Sequence, residues 1–239
     1  MHTAIATAGT TTPRLSDSGQ FPRIDPEDKG STRAAAQGAA VGRTWSSPPA
    51  GGMQGIDAVI GQSQYEQLQR SVFSKRDTCI YAVLDGAIID DLPTRLQRHT
   101  PGAMCLFSGD LDPMLAAAAP YLLALQSGSG GAQLALRDGW NDHWGIVLVV
   151  DPGTDIYALR SHLRRILRVA TPDGGSMLFR FYDPRAFRTV VPTLDAEQRR
   201  TFFGPIAGCY VEGRSPDSAL YFARDGGREP RTVALAAAA

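Results

Sequence analysis

The sequence predicts an α/β domain, with a central, mostly parallel or mixed sheet covered by helices and a disordered N-terminal arm. Three observations predict it. Apolar runs of strand length alternate with helical patterns over most of the chain, as expected for a sheet covered on both faces. The runs 79–84 and 146–150 are almost wholly apolar, as buried strands are. Residues 1–60 are instead rich in Ala, Gly, Ser, Thr and Pro, with too few large apolar side chains to offset their ordering entropy. The expected division is a disordered arm at 1–60, an α/β domain at 61–225 and a disordered tail at 226–239, with Trp45 the one candidate anchor in the arm.

The elements run in order. Tyr65, Leu68, Val72 and Phe73 have helical spacing and predict a short amphipathic helix. The strand at 79–84 ends in Asp85-Gly86, a turn signal. Asp91 precedes a short helix carrying Leu92 and Leu96, with Pro93 tolerated in its first turn. A second strand is expected at 103–107, and Asp112-Pro113 opens a helix as N-cap and first residue. Pro120 stops that helix; 121–125 is either a strand or a helical continuation, and 127–131 reads as a flexible Gly/Ser loop. Trp140 and Trp144 flank a turn into the strand 146–150, which Asp151-Pro152-Gly153 ends.

The strongest helix comes next. Thr154 is placed to cap it, and Ile156, Leu159, Leu163, Ile166 and Leu167 form one apolar stripe, with His162 and Arg164 on its flanks. After a turn at 172–175, residues 177–182 read as a strand with Phe179 and Phe181 on one face and Arg180 and Tyr182 on the other. Asp183-Pro184 repeats the cap-then-proline start. Asp195 with Gln198 fits a capping box, and Gly204-Pro205 stops the helix that carries Phe202 and Phe203. Short strands are expected at 208–211 and 219–223.

Composition narrows the function. Lys plus Arg and Asp plus Glu both number 24, so the chain lacks the positive excess that nucleic-acid binding requires, and nothing steers it to an acidic membrane. There is no secretory leader pattern and no apolar run near ~18 residues, so a cytoplasmic protein is expected. Cys79, Cys105 and Cys209 lie far apart among apolar neighbours and suggest buried free thiols rather than a metal or redox pair.

No cofactor or metal is expected: none of the four histidines has metal-ligand spacing, and Gly128-Ser129-Gly130-Gly131 lacks the ending of a phosphate loop. No GxSxG elbow is present. Asp85, at a strand end, is the best isolated carboxylate. Arg164, Arg180 and Asp183 are candidates for one salt-bridged cluster at a strand–helix junction. A hydrolase or transferase using His162 with Asp85 or Asp183 is a further possibility, requiring those groups to share a cleft.

An ordered set of motifs carries a family resemblance: 81–87 (YAVLDGA), His162-Leu163-Arg164-Arg165, 179–185 (FRFYDPR) and Phe202-Phe203-Gly204-Pro205. Together these resemble the type VI secretion effector chaperones, or adaptors, a VgrG-associated family once known only as a domain of unknown function. The resemblance implies a non-catalytic protein. It would bind a cognate effector and assist its loading onto a VgrG or PAAR-type spike component. It makes Asp85, His162, Arg164, Arg180, Tyr182, Asp183 and Pro184 structural or partner-binding residues. Two features depart from it: the long N-terminal arm, and the short stretch after Pro205, where a variable lobe is expected. An immunity protein that binds a neighbouring toxin is the alternative of a different class.

Overall fold

The computed structural model describes residues 60–75, 77–170 and 174–235. The arm expected at 1–60, with Trp45, therefore lies outside the described residues except for Ile60, which is buried. In chain order the elements are α1 (Gln62–Val72), β1 (Cys79–Asp85), α2 (Leu92–His99), β2 (Met104–Cys105), α3 (Pro113–Ala117), β3 (Pro120–Leu125) and α4 (Gly130–Gln133). They continue with β4 (Gly145–Val150), α5 (Ile156–Ile166), β5 (Arg168–Ala170), β6 (Ser176–Leu178) and α6 (Pro184–Val190). The last are α7 (Ala196–Phe203), β7 (Ile206–Glu212), β8 (Ser218–Ala223) and β9 (Arg231–Ala234).

Seven strands form one sheet in the order β2-β3-β1-β4-β7-β8-β9, and β5 pairs with β6 in a separate ribbon. Every pairing is antiparallel, which corrects the expected parallel or mixed sheet. The reason lies in what an apolar run reports. Such a run says that both faces of a strand are covered, and it says nothing about direction. Both faces are indeed covered. Ile80, Ala82 and Leu84 pack with Leu68 of α1, Leu92 and Leu96 of α2 and Ala132 of α4. Tyr81 and Val83 face the other way and pack with Leu159 and Leu163 of α5, Phe187 of α6 and Phe203 of α7.

Local chemistry accounts for the helix starts. Asp112 accepts from the backbone of Met114 and Leu115, Asp183 from that of Arg185, and Asp195 forms a reciprocal capping box with Gln198. The cap of α5 is Asp155, one residue after the expected Thr154; its carboxylate accepts from Tyr157 N and Ala158 N. Ser129 caps α4, so the expected Gly/Ser loop is partly helical.

One open choice is settled and two other expectations change. Residues 121–125 are a strand, β3. The strand expected at 177–182 is confined to β6, where Met177 and Leu178 are both exposed, while Phe181 and Tyr182 are consecutive yet both buried in a turn. The tail expected to be disordered from 226 carries β9, paired with β8 at the sheet edge. Cys209 alone of the three cysteines is buried; Cys105 is half-buried and Cys79 exposed.

Candidate functional site

One end of the large sheet gathers three buried carboxylates, Asp85, Asp183 and Glu212. Asp85 closes β1, Gly145 opens β4 beside it, and Glu212 closes β7 on the other flank of β4. Asp85 is fully buried, and both its oxygens are occupied: Oδ1 accepts from Ala87 N at 3.0 Å, and Oδ2 accepts from Arg180 Nη2. The backbone N of Asp85 donates to Trp144 O at 2.8 Å, which locks the strand end. Gly86 comes next because the backbone of α3 passes against it: a Cβ there would strike the carbonyls of Ala117 and Ala119. The chain turns from Arg180 into α6 through a bond from Asp183 N to Arg180 O at 3.0 Å.

Asp183 does two things. Its Oδ1 accepts from Arg185 N at 2.9 Å and Arg185 Nε at 3.0 Å, and its Oδ2 accepts from Arg185 Nη2 at 2.8 Å. Burial pushes the Asp183 carboxyl up, but these bonds from Arg185 outweigh it and hold the group below its usual range. Pro184 supplies the preset φ of the first helical position. Tyr182 is buried edge-on against Phe181, with ring centroids 5.5 Å apart; burial, then the Asp85 charge, pushes its hydroxyl pKa well up. Burial lowers the Arg180 guanidinium, and the Asp85 contact more than restores it.

The neighbouring pair is one that sequence reasoning missed. Glu212 is buried at the end of β7, with its Oε1 accepting from His143 N at 3.0 Å and its Oε2 lying 2.7 Å from His143 Nδ1. Burial raises the Glu212 pKa despite those contacts. Arg188 of α6 donates to Glu212 O at 2.6 Å and Gly213 O at 3.1 Å, clamping the helix to the strand end. A signal was present: Val211-Glu212-Gly213 ends an apolar strand in a carboxylate and glycine, as Leu84-Asp85-Gly86 does.

The residues singled out from sequence therefore separate into two groups. Asp85, Arg180, Tyr182, Asp183 and Pro184 come together. Arg164 does not join them: it has no ion pair among the described residues and lies near the Cys105 thiol instead. The expected Arg164–Arg180–Asp183 cluster is thus replaced by two pairs, Asp85–Arg180 and Asp183–Arg185.

His162 is buried elsewhere. Its Nε2 lies 2.9 Å from Phe202 O, and because a carbonyl only accepts, Nε2 carries the proton. Its ring packs on Gly204, whose φ of 49° ends α7. Arg224 Nη1 reaches both Gly204 O and Asp151 Oδ2, so Gly204 sits where β4 ends, whereas Asp85 lies where β4 begins. A six-residue strand, roughly 20 Å, lies between them. His162 and Asp85 therefore do not share a cleft.

Burial lowers the His162 pKa below 6.5. The unfolded chain thus takes up a proton below about pH 6.5 that the folded chain refuses, and stability falls with pH until the lower folded pKa is reached. Urea unfolding between pH 5 and 8 should show this slope, and His162→Gln should flatten it.

Residues 80–201 match the family DUF4123, described as a domain of unknown function. The chain belongs to this family. The match spans just over half of its 239 residues. DUF4123 is linked to type VI secretion. No curated protein and no solved structure matches the chain. The DUF4123 segment contains Asp85, His162, Arg164, Arg180, Tyr182, Asp183 and Pro184. Glu212 and the strands β7, β8 and β9, which complete the sheet, lie beyond it. Among the described residues no group of three or more His, Cys, Asp or Glu is placed to hold a metal ion, and no helix is long and apolar enough to cross a membrane.

Proposed function

We propose that this DUF4123 protein is a non-catalytic chaperone-adaptor. In the cytoplasm it binds a cognate type VI secretion effector and assists its loading onto the VgrG/PAAR spike. The observation that carries the reading is the meeting of five of the seven family-motif residues, Asp85, Arg180, Tyr182, Asp183 and Pro184, at one end of the sheet. Asp85, Arg180, Asp183 and Arg185 pair with one another there, in a geometry that braces a surface. A buried carboxylate already satisfied by a backbone N–H and a guanidinium suits positioning better than proton transfer.

Interbacterial competition tests the proposal. An attacker lacking this protein should fire its secretion apparatus normally yet fail to intoxicate prey with one toxin. A recipient lacking it should be no more sensitive than its parent. An unaffected attacker together with a sensitised recipient would make it an immunity protein instead.

A further inference from the structure

Around the Asp85–Arg180 and Asp183–Arg185 pairs, charge is sorted by depth. Three carboxylates lie inside: Asp85 and Glu212 are 1% exposed and Asp183 is 8% exposed. The guanidiniums lie outside: the side chain of Arg180 is 39% exposed and that of Arg185 54%. Arg214 is exposed as well and close enough to be felt by Arg188. Asp85 and Asp183 each hold an outer cation in a set position. A guanidinium has five N–H donors. Asp85 engages one nitrogen of Arg180, which also bonds Tyr182, and Asp183 engages two of Arg185, so both partly exposed guanidiniums keep further donors.

The exposed apolar side chains are not scattered. Six large ones are exposed among the described residues: Ile88, Met114, Leu115, Tyr157, Met177 and Leu178. Five of them belong to the three segments that meet at Asp85. Ile88 N donates to Asp85 O at 3.1 Å, and Leu178 lies two residues before Arg180. Met114 and Leu115 belong to α3, whose last carbonyl packs against Gly86. Only Tyr157 lies at the opposite end, in the first turn of α5 beyond the end of β4. Grouped apolar exposure of this kind marks a contact surface. The surface also carries acid: Asp90 and Asp91, just after Ile88, and Asp110, just before α3, are exposed.

We propose that this end of the sheet is the docking surface for an amphipathic, acid-bearing segment of the effector protein. Charge complementarity sets its orientation. Carboxylates of the segment meet Arg180 and Arg185, and its apolar side chains cover Leu178, Ile88 and Met114. Neutral or basic residues face Asp90, Asp91 and Asp110. The inference rests on the chaperone-adaptor reading.

Photo-crosslinking tests the surface without disturbing the core. The full chain carries benzoylphenylalanine at 114, 178 or 157 and is co-expressed with the tagged product of the adjacent gene, taken as the candidate toxin. Crosslinks to the toxin from 114 and 178 but not from 157 are expected. Arg185→Ser, checked for an unchanged melting temperature, should cut recovery of the complex at least tenfold. A complex that crosslinks from 157 and not from 114 or 178 would overturn the docking surface and leave the chaperone-adaptor reading standing. A toxin that forms no complex with the wild-type chain would overturn both.

Discussion

Arg180→Ala should lower the unfolding free energy by about 3 kcal/mol, the low end of the range for breaking a buried ion pair. The size reflects the group left behind. Asp85 is fully buried, and without Arg180 its carboxylate keeps only the bond from Ala87 N. The outer half of the pair is partly solvated, which holds the loss toward the bottom of the range. Asp85→Asn in the Arg180→Ala background should recover much of the deficit, because a neutral amide needs no counter-charge. Urea unfolding at pH 7 checks both variants. A loss below about 1 kcal/mol would mean that the pair behaves as an ordinary surface bridge.

Phe187→Ala should cost about 3–5 kcal/mol, as expected for deleting a fully buried aromatic side chain. Phe187 is completely buried and packs edge-on against Phe202 at 5.8 Å and Phe222 at 5.1 Å. It is also the residue that seats α6 on the sheet, while the same helix carries Arg185 and Arg188 at the charged end. The cavity should therefore loosen the cluster as well as the core. Recovery of a bound partner should fall even though Phe187 is nowhere exposed. Phe187→Leu, which keeps most of the volume, should lose less than half as much stability.

Much of this architecture was legible because its causes are local. Asp183-Pro184, Asp112-Pro113 and the Asp195–Gln198 capping box each act within one helical turn, and all start helices where expected. The apolar runs at 79–84 and 146–150 became the central strands β1 and β4. Strand direction was not legible, because burial on two faces is the same for parallel and antiparallel neighbours. Nor was the tail: β9 has three of its four residues exposed, so no apolar pattern announces it, and pairing with β8 and the burial of Leu235 just after it hold it.

The candidate site divides in the same way. Asp85, Arg180 and Asp183 stood out as motif residues, but Asp85 and Arg180 are 95 positions apart, and only the fold decides who pairs with whom. A helical-wheel view put His162 on a flank of α5. The ring is buried because Phe202 and Gly204 close over that flank, a contact made by residues 40 or more positions away. Glu212 was passed over because an apolar strand hides one carboxylate at its end; its partner His143 lies 69 positions earlier in a turn with positive φ.

A chain that holds an effector for delivery should keep that effector in solution, and co-expression reads this out. The product of the adjacent gene, as candidate effector, is produced alone and with this chain, and soluble material is run on a size-exclusion column. The expected result is an effector that is largely insoluble alone and, with this chain, soluble and co-eluting in a defined complex. A toxin equally soluble without this chain, eluting separately from it, would contradict the account.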